Sequence, residues 1–206
     1  MSTPVEPFHD VTCYSAGEGG FMHRSQAVRG RLLRPLLVAL AGLKITPNHL
    51  TLLSLLTGLA FCPLFLWGPK AAALALLLAH IILDGLDGPL ARFTGKASNR
   101  GSFTDTTADQ VVVTFSTVTL IHAGDVGVWP GSLYIFFYCL VVIFAMVRSA
   151  LAIPYSWLVR PRLFVYAWIP LELYVWRGSL DPVLWLFTGL LGIKMVTGFV
   201  RIRRRI

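Results

Sequence analysis

Apolar residues in this chain come in long runs, each closed by a cluster of Gly, Pro, Trp or charge. Residues 45–69 read ITPNHLTLLSLLTGLAFCPLFLWGP, and AAALALLLAHIIL fills 71–83. Runs of this length predict helices that cross a bilayer, each needing about 20 apolar residues. The pattern predicts six spans, over about 49–67, 71–92, 103–123, 130–152, 163–176 and 182–200. Thr46-Pro47-Asn48 is a helix-start signal, although Pro47 also suits a turn. Trp67-Gly68-Pro69-Lys70, HAGDVGVWPG and Arg177-Gly178-Ser179 read as turns, and RSALAIPYSWLVRPR as a basic connection. The fifth span is short and could start before Arg162.

Ahead of these spans, residues 21–44 mix Arg24, Arg29, Arg31 and Arg34 with leucines at helical spacing. That pattern suits an amphipathic helix lying on the headgroups. The alternative is a polar approach to the first span. Residues 1–20 are polar and read as a cytoplasmic tail, with no secretory signal visible. The expected architecture is therefore an all-α integral membrane protein. It has an N-terminal interfacial helix over 21–44 and six spans, all in one membrane domain over 21–206.

Composition agrees. Of 206 residues, 55% are hydrophobic and 14% charged, against roughly a quarter charged in soluble domains. Mean hydropathy is +0.68. A net charge of +8 would suggest nucleic acid on a soluble protein. Here the basic residues flank apolar runs, so a positive-inside bias explains them and no nucleic-acid partner is expected. With the N-terminus inside, only Lys70 and Arg177 of the 18 Lys and Arg fall in outer turns. Cys13, Cys62 and Cys139 lack metal-ligand spacing and do not suggest a disulfide framework.

The chemistry lies between the second and third spans. Asp84 and Asp87 are spaced i, i+3, and Asp105 and Asp109 i, i+4, so each pair shares a helix face. Joined by a loop of about ten residues, FTGKASNRGS, the two helices are expected as antiparallel neighbours with four converging carboxylates. Such a group repels itself strongly unless protons or divalent cations sit among the anions. Hard oxygen ligands suit Mg²⁺, Mn²⁺ or Ca²⁺. A binuclear site of this kind clamps phosphoryl groups. Gly85, Gly88, Ala91 and Gly101 leave room for a ligand beside the carboxylates, or else allow close helix packing. Pro89 is expected to kink the end of the second span.

The run Asp84-Gly85-Leu86-Asp87-Gly88-Pro89-Leu90-Ala91-Arg92 is followed by eight residues, Gly101, three residues, Asp105, three residues and Asp109. It resembles the complete signature of the CDP-alcohol phosphatidyltransferase family, with all eight fixed positions at the family spacing. Thr46-Pro47-Asn48 with Leu50-Thr51 also resembles the start of that family's first span. The resemblance implies six transmembrane helices, commonly in a homodimer, and an active site facing the cytoplasm. We expect a multi-pass protein of a prokaryotic cytoplasmic membrane. The implied reaction is phospholipid synthesis: a phosphatidyl-type group passes from a CDP-linked lipid to a small polar alcohol, and CMP leaves. Carried over, Asp84, Asp87, Asp105 and Asp109 would hold two divalent ions, Mg²⁺ or Mn²⁺. Asp109 would also be the base. Gly88, Ala91 and Gly101 would line the nucleotide pocket, with Arg92 beside it.

Arg148 and Lys194 are candidates for the acceptor pocket, an intramembrane Lys being a functional hypothesis by default. Convergent cations would favour a phosphorylated acceptor, such as inositol phosphate or glycerol 3-phosphate, over serine or inositol. Arg160 and Arg162 read as topology signals within reach of the pocket mouth. His80, one turn before Asp84, reads as helix packing or as support for the site. Glu172 suggests only a polar contact between helices. Two other functions remain open. One is a cation or proton-coupled transporter, since intramembrane carboxylates mark such pathways. The other is a transferase that uses a CDP-linked small alcohol and a lipid acceptor.

Overall fold

Local capping chemistry sets where each apolar run becomes a helix and where it stops. The computed structural model describes residues 33–151, 153 and 160–206. The expected tail 1–20 and the first part of the expected interfacial helix lie outside the described residues. The rest of that segment contains α1, Leu33–Gly42. It ends in a Schellman turn, in which Ile45 N–H donates to Leu40 C=O and Lys44 N–H to Ala41 C=O, both at 3.0 Å. Lys44 takes the left-handed position at φ 58°, where glycine is usual.

Six helices follow: α2 Pro47–Trp67, α3 Lys70–Phe93, α4 Asn99–His122, α5 Val128–Ala150, α6 Pro161–Tyr174 and α7 Leu180–Arg203. The helix-start signal at Thr46 is realised as a capping box. Thr46 Oγ1 accepts the His49 N–H at 3.3 Å, and His49 Nδ1 accepts the Thr46 N–H at 3.4 Å. Pro89 lies inside α3 without ending it. α3 stops instead in a second Schellman turn. Lys96 N–H donates to Ala91 C=O at 2.8 Å, with Gly95 at φ 66°. Ser98 caps α4 by accepting the Gly101 N–H at 3.1 Å. The expected ten-residue loop is therefore only 94–98, because the capped turn draws Asn99–Ser102 into α4.

The packing also corrects the expected pairing. α2 lies against both α3 and α4, while α3 and α4 approach each other little along their backbones. Gly58 makes that arrangement possible. A Cβ there would stand 2.6 Å from Val112 Cγ1 on α4 and 3.2 Å from His80 Nδ1 on α3. α5 packs on α7 to form the other half of the bundle, and smaller contacts join α4 to α5, α6 to α7 and α3 to α6. One core runs through both halves, with Phe61, Phe65, Val112, Tyr134, Ile169 and Leu184 buried in it. A second, smaller core joins Leu37 of α1 to Leu50, Leu86 and Leu90, and so braces the helix ends that carry the aspartates.

Opposite the aspartates, Glu172 is buried and caps α7 from α6. Its carboxylate accepts the N–H of Gly178 at 2.5 Å, the N–H of Leu180 at 2.7 Å and the Ser179 hydroxyl at 3.2 Å. Asp181 accepts the Gly127 N–H at 2.8 Å and ties the α4–α5 turn to α7. Helix α2, α3, α5 and α7 are each long and apolar enough to cross a membrane. Their surfaces are inverted relative to a water-soluble protein. Leu52, Leu56, Phe136 and Leu186 are more than half exposed, an apolar surface that water would not tolerate. The chain is an integral membrane protein.

Candidate active site

The site is built where the C-terminal half of α3 meets the N-terminal half of α4 and the first turn of α6. On α3, Leu86 and Leu90 belong to the small core, which fixes the helix face and leaves Asp84 and Asp87 on the side toward α4. On α4, Asp105 and Asp109 stand one turn apart. The carboxyls meet across the gap in two pairs, Asp87 with Asp105 and Asp84 with Asp109. Ligand atoms of Asp84, Asp105 and Asp109 all lie within 4.8 Å of one another. The convergence inferred from spacing is present, although it is made by side chains spanning a gap rather than by neighbouring helices.

Two further residues reach the carboxyls. Thr51 Oγ1, on the second turn of α2, donates to Asp87 Oδ2 at 2.7 Å. Asp87 is only 5% exposed, so this donor replaces water that the carboxylate has lost. Arg162 enters from the first turn of α6. Its Nη2 lies 2.8 Å from Asp84 Oδ2, and its Nη1 bonds to Asp109 Oδ1. Arg162 is 3% exposed. Of the two roles expected for it, a topology signal and a residue within reach of the pocket mouth, the structure shows Arg162 reaching the cluster. Pro161 starts α6, and Pro161, Arg162, Val165, Tyr166, Ile169 and Glu172 form its buried face. Arg162 shares that face, so its charge enters the bundle. The helical spacing of this face was readable in the sequence, whereas the partner of Arg162 was not.

The glycines divide by environment. A Cβ on Gly85 would meet nothing within 4 Å, and one on Gly88 would meet only the Arg92 guanidinium at 3.5 Å. At Gly101 it would meet Ser98 Oγ at 3.3 Å, the capping hydroxyl. Among the described residues, Gly85 and Gly88 therefore face open space, and neither is packed against another helix. Ala91 is partly buried and Arg92 is exposed on the same helix end.

The candidate acceptor cations are less central. Arg148 is buried in the last turn of α5, and Lys194 is partly buried on α7. Because successive helices alternate in direction, Arg148 lies at the aspartate end of the bundle. His80 supports helix packing: its Nδ1 is 2.8 Å from Ser54 Oγ, and its ring meets Tyr166 edge-on at 6.2 Å.

The donor set fits hard divalent ions: carboxylate oxygens, within coordinating range of one another, beside space that a side chain does not fill. Asp87 stands toward the C-terminal end of α3 and Asp105 toward the N-terminal end of α4, while Asp84 and Asp109 lie nearer the middle of these helices.

Residues 44–200 match the CDP-alcohol phosphatidyltransferase family. Over 109 residues the chain is 34% identical to the archaetidylinositol phosphate synthase of Aeropyrum pernix, covering 53% of this chain and 50% of that one. Over 73 residues it is 45% identical to the archaetidylinositol phosphate synthase of Pyrococcus horikoshii, covering 35% and 38%. It is 33% identical over 107 residues to the CDP-diacylglycerol–serine O-phosphatidyltransferase of Mycobacterium tuberculosis, covering 52% and 37%. The matched stretches span half or less of these relatives' own lengths. No solved structure matches the chain. With the signature residues gathered at one site and the family matched over most of its length, the chain belongs to the CDP-alcohol phosphatidyltransferase family.

Proposed function

We propose that the chain transfers a phosphatidyl-type group from a CDP-linked lipid to the hydroxyl of a small polar alcohol and releases CMP. The observation that carries this reading is the set of convergent carboxyls beside the open face at Gly85 and Gly88. Asp84, Asp87, Asp105 and Asp109 would hold two divalent ions, Mg²⁺ or Mn²⁺. Bound there, the ions would neutralise the donor pyrophosphate and the departing phosphate. Gly88, Ala91 and Gly101 would admit the nucleotide, with Arg92 at its edge. Asp109 would take the hydroxyl proton as the acceptor oxygen bonds to the phosphatidyl phosphorus. The P–O bond to CMP breaks in the same displacement, and the bridging oxygen leaves with CMP.

All six helices α2–α7 would cross the membrane, with α6 the shortest at 14 residues. The basic residues Arg92, Lys96, Arg100, Arg148, Arg201, Arg203, Arg204 and Arg205 gather at the aspartate end, while Lys70 and Arg177 stand at the other. This bias would place the aspartates at the cytoplasmic face of a prokaryotic membrane. The domain would run over 21–206 behind the tail 1–20, and the protein would work as a homodimer.

For the acceptor, the buried cation Arg148 favours a phosphorylated alcohol, with Lys194 further along α7. Two of the relatives named above make archaetidylinositol phosphate, which points the same way. Serine is the second reading, carried by the mycobacterial relative. The test is CMP release by purified protein with CDP-diacylglycerol and Mg²⁺ or Mn²⁺. The acceptors are inositol phosphate, glycerol 3-phosphate, inositol and serine. We expect metal-dependent release with a phosphorylated acceptor and none from Asp109→Asn. Release only with CDP-choline or CDP-ethanolamine and diacylglycerol would instead establish the reverse donor arrangement. No release with any pair, from folded protein, would overturn the enzymatic reading.

A further inference from the structure

Arg162 and a divalent ion need the same carboxylates. The guanidinium holds one oxygen of Asp84 and one of Asp109, two of the three residues whose ligand atoms converge within 4.8 Å. It is not a swinging surface side chain. α6 is fixed in the core by Val165, Tyr166 and Ile169, and its far end is fixed through Glu172 to α7. The charge is thus delivered to the cluster by a rigid element and shielded from water.

We propose that Arg162 is a built-in competitor for the divalent ions, a positioning residue that sets how tightly Asp84 and Asp109 bind them. The proposal rests on the metal-dependent reading above. In the metal-free chain, one positive charge offsets part of the repulsion among four carboxylates, which lets the cluster fold before any ion arrives. When an ion binds, the same charge opposes it at short range and at reduced dielectric, where such repulsion is strong. Asp105 lies outside the Arg162 clamp and would be the first contact for an arriving ion. A purely structural role makes the opposite forecast. If Arg162 served only to aim Asp84 and Asp109, its loss would scatter the ligands and weaken metal binding. The sign of one change in affinity therefore separates the two.

The experiment is Mn²⁺ binding to the full chain in nanodiscs without nucleotide, with free Mn²⁺ read by electron paramagnetic resonance. Wild type, Arg162→Gln, Arg162→Met, Arg162→Lys and Asp105→Asn are compared. We expect Arg162→Gln and Arg162→Met to bind Mn²⁺ about tenfold more tightly than wild type, or tighter still, the size of effect a nearby unit charge exerts on a divalent ion. If neither neutral variant folds, Arg162→Lys decides. Its single ammonium cannot clamp both carboxylates, and a gain of about threefold is expected. Equal or weaker binding in the folded variants overturns the proposal. Failure of wild type to bind Mn²⁺, or binding that Asp105→Asn leaves unchanged, overturns the metal reading on which it rests.

Discussion

Thr51→Val replaces one hydroxyl by a methyl and removes one hydrogen bond from the site, and little else. Valine keeps the branched shape of threonine, so the contact of α2 with α3 is preserved. The bond lost is the 2.7 Å donation to Asp87 Oδ2. The hydroxyl also lies 3.2 Å from Pro47 C=O, a carbonyl already within reach of the helical N–H ladder, so that loss is minor. A hydrogen bond to a charged, buried acceptor contributes about 1.5–3 kcal/mol. If Asp87 ligates an ion, part of that loss appears as weaker metal binding, and removal of such an outer support lowers affinity about 10–100-fold. The assay is a Mn²⁺ titration of CMP release, paired with direct Mn²⁺ binding. Thr51→Val should shift both midpoints to higher Mn²⁺, and saturating Mn²⁺ should restore most of the rate. Thr51→Ser, which keeps the donor, should stay near wild type. If Thr51→Val binds Mn²⁺ like wild type, Asp87 is oriented by something other than this bond, and the reasoning fails.

Gly58→Ala forces a Cβ into the two γ-carbons of Val112, 2.6 and 2.7 Å away. Overpacking of about 1–3 kcal/mol should outweigh the roughly 1 kcal/mol that alanine adds to a helix, lowering the thermal midpoint in nanodiscs. The added cost should shrink in a Val112→Ala background. Glu172→Leu strands the buried Leu180 N–H at the start of α7, at about 1–3 kcal/mol, while the exposed Gly178 N–H turns to water. Its melting point should fall, while CMP release per folded molecule holds, because the change lies at the end opposite the aspartates. Gly85→Ala and Gly88→Ala have room in the structure and should each raise the melting point, by up to about 1 kcal/mol of helix stability. Both should nevertheless raise the KM for the CDP-linked donor. Normal donor kinetics would show that the open face is not its pocket.

The apolar runs disclosed most of the fold, since a span needs only length and a closing turn. Helix ends were readable where capping is local, as at Thr46 with His49. They were misread at Ser98, whose hydroxyl starts α4 inside what looked like loop. Spacing gave the convergence of the aspartates but not the packing behind it, because α2 was not expected between α3 and α4. Gly58 was the hidden signal: a lone glycine in a leucine-rich run gives no sign of which helices it admits. Thr51 and Arg162 were both visible as residues, yet their partners are 36 and 78 positions away. Contacts at that range follow from the tertiary arrangement and leave no local pattern.

How each carboxylate is satisfied separates the structural acids from the functional ones. Glu172 and Asp181 meet backbone N–H groups and a hydroxyl, donors that cannot leave without opening a turn. An acid held that way is spent on the fold. In the cluster, by contrast, Asp87 faces Asp105 and Asp84 faces Asp109. Beyond the Gly88 backbone N–H at Asp87, the donors that reach them from other helices are the Thr51 hydroxyl and the Arg162 guanidinium, both on side chains. A hydrophobic bundle gains no stability by facing carboxylates with one another. It can keep such an arrangement only because Arg162 and the small core under Leu86 and Leu90 hold it together. On the proposed reading, the surplus of negative charge would have a use once a cation is shared among the four, and the open space at Gly85 and Gly88 would leave that cation accessible to a pyrophosphate. On the metal-dependent reading proposed above, the same imbalance would give the site its affinity for metal, so variants that stabilise the cluster without a cation are expected to lose turnover.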